Sequence, residues 1–209
     1  MHIAFILSSL RLSGGVILVV ELANRLVTHG HTVTLVTPRQ TIDAEIQRKL
    51  QPAITVLESH AGLPAGFNLF GLAYLVASLA WRAPAGAVIV ATHTPTTLPV
   101  LLSSWLKRQK RLWLLMDYPE MFRTRPVEQF LLKHAPRWFS AIVAISEPLA
   151  AEIQPRARGQ VALLRPGLGL TVEYEAQSGQ TAPSDAPRIL YVGDDRPRKG
   201  LNEFLQAMQ

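Results

Sequence analysis

Residues 2–37 read HIAFIL, SSLRLSGG, VILVVELANRLVTH, GH and TVTLVT, and this order of segments decides the fold. The apolar, β-branched runs at residues 2–7 and 32–37 predict buried strands. Residues 16–29 between them have the length and composition of a helix. A strand, a helix and a second strand joined in this way predict a βαβ unit, whose two strands are parallel.

The same alternation continues to about residue 165. It predicts further strands at residues 53–57, 87–91, 111–116, 141–145 and 161–164. It predicts further helices at residues 43–50, 69–81, 97–108, 127–134 and 148–154. The strands are continuous apolar runs, which is typical of strands buried on both faces. We therefore expect an α/β domain over residues 1–165, with a Rossmann-like, doubly wound parallel sheet.

The composition changes after residue 165. Residues 166–187 are rich in Gly, Ser, Thr, Ala and Pro, which is typical of a linker. The strand-helix pattern then restarts, with a strand at residues 188–192 and an amphipathic helix at residues 199–209. We expect residues 188–209 to be the start of a second domain, which the chain enters without completing it.

The composition of the 209 residues excludes several classes of protein. With no cysteine, the chain has no disulfide scaffold, zinc-thiolate site or cysteine nucleophile. A hydrophobic fraction of 48% excludes a disordered chain. The uncharged stretch at residues 61–81 is interrupted by Pro64, Gly66 and Asn68, so it predicts a buried or interfacial helix rather than a membrane span. The start of the chain lacks the basic region of a signal peptide, so we expect a cytoplasmic protein.

The net charge of +6 comes mostly from residues 107–137, which hold eight Lys and Arg against three acids. Two tryptophans bracket the densest group of cations, which comprises Lys107, Arg108, Lys110 and Arg111. Aromatic side chains beside cations suit an anionic membrane surface, so the protein is predicted to be peripheral on the inner face of the membrane. Alternatively, these cations offset a helix dipole and are followed by a core strand. No nucleic-acid-reading motif is present, so we expect no nucleic acid partner.

Two adjacent glycines, Gly14 and Gly15, join the first strand to the first helix. The loop matches neither the dinucleotide fingerprint nor a Walker P-loop. Adjacent glycines nevertheless allow a ligand to approach the backbone, and the positive end of the following helix favours a phosphate. The alternative is a tight turn without a ligand.

Other polar residues follow strands that end at the same edge of the predicted sheet. His93 follows residues 87–91, Asp117 and Glu120 follow residues 111–116, and Ser146 follows residues 141–145. A carboxylate or imidazole at this edge can orient or deprotonate a substrate hydroxyl. The alternatives are helix caps and ordinary loop side chains, as for Ser146 before a proline. No cluster of His, Asp and Glu has metal-ligand spacing.

These blocks together closely resemble the amino-terminal domain of glycosyltransferase family 4, whose members are GT-B enzymes. The resemblance rests on GGV at residues 14–16, LANRL at 22–26, GHTVTLVT at 30–37, THTP at 92–95, MDYPE at 116–120, VAISE at 143–147 and the segment 188–200. The pattern departs from the family at two positions, since Met116 stands where many relatives have His and Asp194 where the usual residue is Arg.

The resemblance implies a transferase of two domains that moves a sugar from a nucleotide-sugar donor to a polysaccharide or glycolipid hydroxyl. It implies that the glycine loop closes over the donor phosphates and that Arg196, Arg198 and Lys199 support the diphosphate leaving group. It further implies that Asp117 and His93 are catalytic and that Glu120 and Ser146 lie on the acceptor side. It implies neither a metal nor another cofactor.

The chain lacks most of the donor domain that the resemblance implies, so we expect no transfer from these 209 residues alone. Two other interpretations remain. One is a non-catalytic Rossmann-like module that docks on a membrane or a partner chain. The other is part of a GT-B epimerase or phosphorylase.

Overall fold

The computed structural model describes residues 1–64, 68–166, 189, 191 and 200–208. Its centre is a sheet of seven strands in the order β3-β2-β1-β4-β5-β6-β7. All six pairings between neighbouring strands are parallel. The strands are β1 (His2–Ile6), β2 (Thr32–Arg39), β3 (Thr55–Gly62), β4 (Val88–Ala91), β5 (Arg111–Leu115), β6 (Ala141–Ala144) and β7 (Gln160–Leu163). The predicted doubly wound α/β fold is confirmed.

Helices cover both faces of the sheet. They are α1 (Gly14–Thr28), α2 (Ala44–Lys49), α3 (Leu69–Arg82), α4 (Thr97–Lys107), α5 (Pro126–His134) and α6 (Glu147–Ile153). Buried side chains of α1 and α2 belong to one hydrophobic cluster, and those of α3 to α6 belong to another. Trp113 of β5 is fully buried in the second cluster, with its ring 5.4 Å from that of Phe139. The five inner strands are therefore buried on both faces, as their apolar sequences require, whereas the edge strands β3 and β7 are only partly buried.

All the strands and helices predicted up to residue 165 are present, with shifts at their ends. The largest difference is in the pair of β2 and β3, which continues past a register shift between Thr37 and Arg39. As a result β2 ends at Arg39 rather than residue 37, and β3 ends at Gly62 rather than residue 57. The sequence did not predict four short 3₁₀ turns, at Thr94–Thr96, Pro119–Phe122, Ala135–Trp138 and Gln154–Arg156. Each turn has a proline in one of its first two positions, where the fixed φ of proline favours a turn.

The chain divides into two compact units, Met1–Gly169 and Leu170–Gln209. In the second unit the structure describes one helix, α7 (Leu201–Ala207), and a ring contact of 5.2 Å between Tyr191 and Phe204. The predicted linker beyond residue 166 and most of the predicted strand 188–192 lie outside the described residues. Within the described part of the chain, every helix is too short or too polar to cross a membrane.

Candidate functional site

The candidate site lies where the direction of the chain across the sheet reverses. Strands β1 and β4 are neighbours, but the helices that follow them, α1 and α4, pack on opposite faces of the sheet. In open parallel sheets this reversal leaves a crevice at the carboxyl ends of the two strands, and ligands bind there. Gly14 and Gly15 begin α1 at this crevice, and His93 follows β4 at the same edge.

His93 and Asp117 form a pair in the crevice. The Nδ1 atom of His93 lies 3.4 Å from Oδ1 of Asp117, at the long end of hydrogen-bond distances. The other carboxylate oxygen, Oδ2, accepts the backbone N–H of Thr94 at 2.6 Å. Asp117 is 5% exposed, whereas the His93 side chain retains 22% exposure. The buried carboxylate of Asp117 therefore holds the imidazole of His93 in place, and the imidazole is the side chain of the pair that a ligand can reach.

Two threonines hold the loop that carries His93. The Thr96 hydroxyl accepts the backbone N–H groups of Thr92 at 3.0 Å and of His93 at 3.1 Å. The Thr92 hydroxyl donates to the carbonyl of Ile6 at 2.8 Å, which ties this loop to β1. These bonds are buried or partly buried, so the sequence THTPTT at residues 92–97 builds a fixed support for the imidazole.

The electrostatics of the pair favour an ionised Asp117. Burial on its own would raise the pKa of Asp117, because it penalises the charged carboxylate. The hydrogen bond and charge of His93, the N–H of Thr94 and the nearby Thr94 hydroxyl together outweigh burial and hold the pKa of Asp117 below its ordinary value. Asp117 is therefore a carboxylate at neutral pH and can orient the imidazole.

The two glycines of the loop have different surroundings. A Cβ atom on Gly15 would lie 3.0 Å from Cε1 of His93 and 3.6 Å from Cε of Met116. A Cβ atom on Gly14 would have no neighbour within 4 Å. The backbone at Gly15 thus packs directly on the imidazole, whereas Gly14 faces open space. Ser13 precedes both and caps α1 by accepting the N–H of Val16 at 3.4 Å.

The structure separates Ser146 and Glu120 from this pair. Ser146 caps α6 by accepting the N–H of Leu149 at 3.4 Å, and its hydroxyl lies 2.7 Å from that of Tyr118. Glu120 is exposed and lines a shallow pocket with residues of α5 and α6. Tyr118 is not among the site residues predicted from the sequence, although its position next to Asp117 would have indicated it.

The four cations predicted to contact a membrane also fall into two groups. The Nζ atom of Lys107 donates to the carbonyls of Ala80 at 3.0 Å and Trp81 at 2.8 Å, and burial lowers the pKa of Lys107. Arg111 donates to the carbonyl of Trp138 and to the Ser104 hydroxyl. These two cations therefore hold structural elements together, whereas the other two, Arg108 and Lys110, are exposed. The predicted donor-site residues Arg196, Arg198 and Lys199 lie outside the described residues.

An apolar groove of about 420 Å³ lies between α3, α4 and α5. Its apolar walls include Leu72, Pro95, Leu98, Val127 and Leu131. The groove begins at Pro95, two residues after His93. Within the described ranges, no three residues of the His, Asp and Glu types are grouped so that they could hold a metal ion.

The strand order and the crevice at its reversal define the class of this protein as a Rossmann-like α/β domain of the kind found in GT-B enzymes. The model of one family, Glycosyltransferase Family 4, matches residues 12–170. The chain therefore belongs to glycosyltransferase family 4, and the resemblance found in the sequence is confirmed. No curated protein matches the chain in sequence.

Solved structures support the fold. Sucrose-phosphate synthase from Thermosynechococcus elongatus is 20% identical with a TM-score of 0.71, and the alignment covers 99% of this chain and 59% of that one. Anabaena HepE, solved in complex with UDP-glucose, is 17% identical with a TM-score of 0.54, over 80% of this chain and 44% of that one. The chain thus spans about half the length of these two proteins.

Proposed function

We propose that the chain forms the acceptor-side half of a glycosyltransferase, which moves a sugar from a nucleotide-sugar donor to a hydroxyl of a carbohydrate or lipid-linked acceptor. Membership of the family supports the reaction class. The observation that carries the proposal is the contact between Gly15 and His93, where a Cβ atom would lie 3.0 Å from the imidazole. It brings the glycine loop and a supported imidazole together at the crevice.

In this proposal His93 takes the proton of the acceptor hydroxyl. Asp117 faces Nδ1, so the tautomer that donates to the carboxylate leaves a lone pair on Nε2. An imidazole held in this way is a general base, and such a base contributes about 10²–10⁴-fold to a rate. Asp117 acts through His93 and is a positioning residue, because its own oxygens are occupied by His93 and Thr94.

The donor phosphates are proposed to lie against the first turn of α1. The first N–H groups of a helix have no partners within the helix, and the helix dipole adds positive charge there. Gly14 leaves the approach to this turn open. HepE was solved with UDP and glucose and with UDP-glucose, which favours a uridine nucleotide as the first donor to test. Arg196, Arg198 and Lys199 remain proposed partners of the diphosphate.

The acceptor is proposed to have an apolar part. The groove between α3, α4 and α5 starts beside the loop that carries His93, and its walls include the side chains of Leu72, Leu98 and Leu131. Apolar walls of this kind suit a lipid chain or the apolar face of a sugar. Arg125 and Glu128 also line the groove, where they form an ion pair at 3.7 Å and supply its charged groups.

The test is a transfer assay on the product of the natural gene, including whatever it encodes after Gln209. Donors are UDP-, GDP- and ADP-sugars, and acceptors are polysaccharide fragments and lipid-linked sugars. We expect transfer by the wild type and by the control Gly62→Ala, whose new methyl group would lie 3.6 Å from the carbonyl oxygen of Arg39, an ordinary van der Waals distance. Gly15→Ala pushes on His93 and is expected to lower kcat.

The proposal is overturned if no donor and acceptor pair gives a product, or if Gly15→Ala and Gly62→Ala have equal rates. The 209 residues alone are expected to give no transfer, because the family resemblance assigns the donor mainly to a second domain. Turnover by the 209 residues would show that the donor site is complete within this chain.

A further inference from the structure

The outer face of α3 is an unusual surface for a helix of a water-soluble domain. Phe70, Tyr74, Ala77 and Trp81 are spaced so that they form one stripe along the helix, opposite the buried residues Leu75 and Leu79. Phe70 is 89% exposed and Trp81 is 74% exposed. Large aromatic side chains displayed in a row at this exposure indicate a surface that contacts something apolar.

The neighbouring helix α4 displays a further exposed aromatic side chain on its outer face. Leu98, Leu102 and Trp105 point away from the core by their helical spacing, and Trp105 is 76% exposed. The two helices are neighbours, because Lys107 of α4 donates to the carbonyl of Trp81 and because Leu72 and Leu98 line the same groove. We refer to Phe70, Tyr74, Trp81 and Trp105 as the aromatic face.

The two helices that carry the aromatic face contain cations and no acidic residue. No Asp or Glu occurs between Glu58 and Asp117, a stretch that includes both helices. Exposed cations follow the carboxyl ends of the two helices, namely Arg82, Arg108 and Lys110. A basic rim beside exposed aromatics is complementary to an anionic, amphipathic partner. A second copy of the chain is not complementary, because it would bring two basic rims together.

We propose that the aromatic face docks on an anionic lipid membrane. Tryptophan and tyrosine prefer the headgroup region, and each cation near an anionic leaflet adds about 1 kcal/mol to binding. The 14 residues of α3 span about 21 Å, too short for the hydrocarbon core of about 30 Å, so the helix lies in the plane of the interface. Docking through this face does not depend on the proposed transferase function.

One consequence does rest on the proposed function. Leu98 lines the apolar groove and lies on the same side of α4 as Trp105, whereas the other helix residue, Leu72, lies on the side of α3 opposite Phe70. The groove therefore adjoins the aromatic face through α4, and Pro95 of the groove belongs to the loop of His93. Docking would therefore bring the groove to the lipid surface, where it could receive the chain of a lipid-linked acceptor. This narrows the acceptor from a soluble polysaccharide to a membrane lipid that carries a hydroxyl or a sugar.

The test is flotation of the 209-residue chain with vesicles of phosphatidylcholine alone and of equal parts phosphatidylcholine and phosphatidylglycerol. We expect binding to the anionic vesicles with a blue shift of tryptophan emission, because Trp81 and Trp105 are exposed and Trp113 is buried. The double variant Arg108→Gln and Lys110→Gln should bind about 30-fold more weakly. The control is Arg25→Gln with Arg48→Gln, an equal loss of charge on α1 and α2, which cover the other face of the sheet.

A second double variant, Trp81→Ser with Trp105→Ser, should lose both vesicle binding and the emission shift while its far-ultraviolet circular dichroism stays unchanged. The proposal is overturned if the wild type does not float, if both charge variants lose binding equally, or if the tryptophan variant binds like the wild type. It is also overturned if the chain dimerises through this face or binds DNA in place of anionic vesicles. Failure of the transfer assay alone leaves the docking result intact.

Discussion

The substitution Asp117→Asn tests the support of the imidazole directly. Asp117 is buried and accepts two hydrogen bonds, from the Thr94 N–H at 2.6 Å and from Nδ1 of His93. Asparagine keeps one acceptor oxygen and presents an NH₂ group where the second acceptor was. One hydrogen bond to a charged group is lost, which is worth about 1.5–3 kcal/mol. We therefore expect the free energy of unfolding to fall by about 2 kcal/mol at neutral pH.

The matched control is Asp43→Asn. Asp43 caps α2 by accepting the N–H of Glu45 at 2.9 Å, and asparagine caps helices as well as aspartate does. The assay is urea unfolding of the 209-residue chain, followed by circular dichroism, for the wild type and both variants. A similar loss of stability in the two variants would contradict the argument, because only Asp117 lies in the buried pair.

The pH dependence of the same substitution gives a sharper test. The pKa of Asp117 lies below its ordinary value of 3.8 in the folded chain. A lowered pKa contributes stability that is present above about 3.8 and is lost as the pH falls through the folded pKa. The difference between wild type and Asp117→Asn should therefore be largest near neutral pH and should shrink in acid. An equal difference in the free energy of unfolding at both ends of this range would refute the ionised Asp117.

Three further predictions concern other parts of the molecule. Lys107→Met should lower the free energy of unfolding by about 1–3 kcal/mol in urea titrations, because it removes the charged donor of carbonyls at the carboxyl end of α3, whereas Lys110→Met should have little effect. Leu98→Asn should raise the KM of an apolar acceptor in the transfer assay, whereas Leu63→Asn, an exposed residue away from the groove walls, should not. A chelator should leave the transfer rate unchanged, and a loss that added Mg²⁺ restores would contradict the metal-free proposal.

Strands and helices were predictable because each has a clear local signal. The continuous apolar runs of β1 and β4 and the helix-length segments between strands required no tertiary information. The order of the strands depends on how the connections cross the sheet, which no single segment specifies. For this reason the sequence placed His93 and Asp117 at the same edge but could not place them in contact.

The sequence predicted which residues lie at the carboxyl edge of the sheet, but it did not predict what each of them contacts. The sequence treated Gly14 and Gly15 as one motif, and only the packing of His93 shows that they differ. The four cations at residues 107–111 likewise formed one patch in the sequence. In the structure Lys107 and Arg111 donate hydrogen bonds to backbone carbonyls of neighbouring elements. These bonds join segments that are far apart in the sequence. Sequence spacing cannot report such contacts.

The central claim is that the imidazole of His93 acts on the acceptor, and the most direct measurement is the kcat of His93→Gln in the product of the natural gene. The claim predicts a kcat about 10²–10⁴-fold below that of the wild type, with the KM of the donor unchanged. Transfer by His93→Gln at the wild-type rate would contradict it and would leave His93 as a loop residue that packs on Gly15.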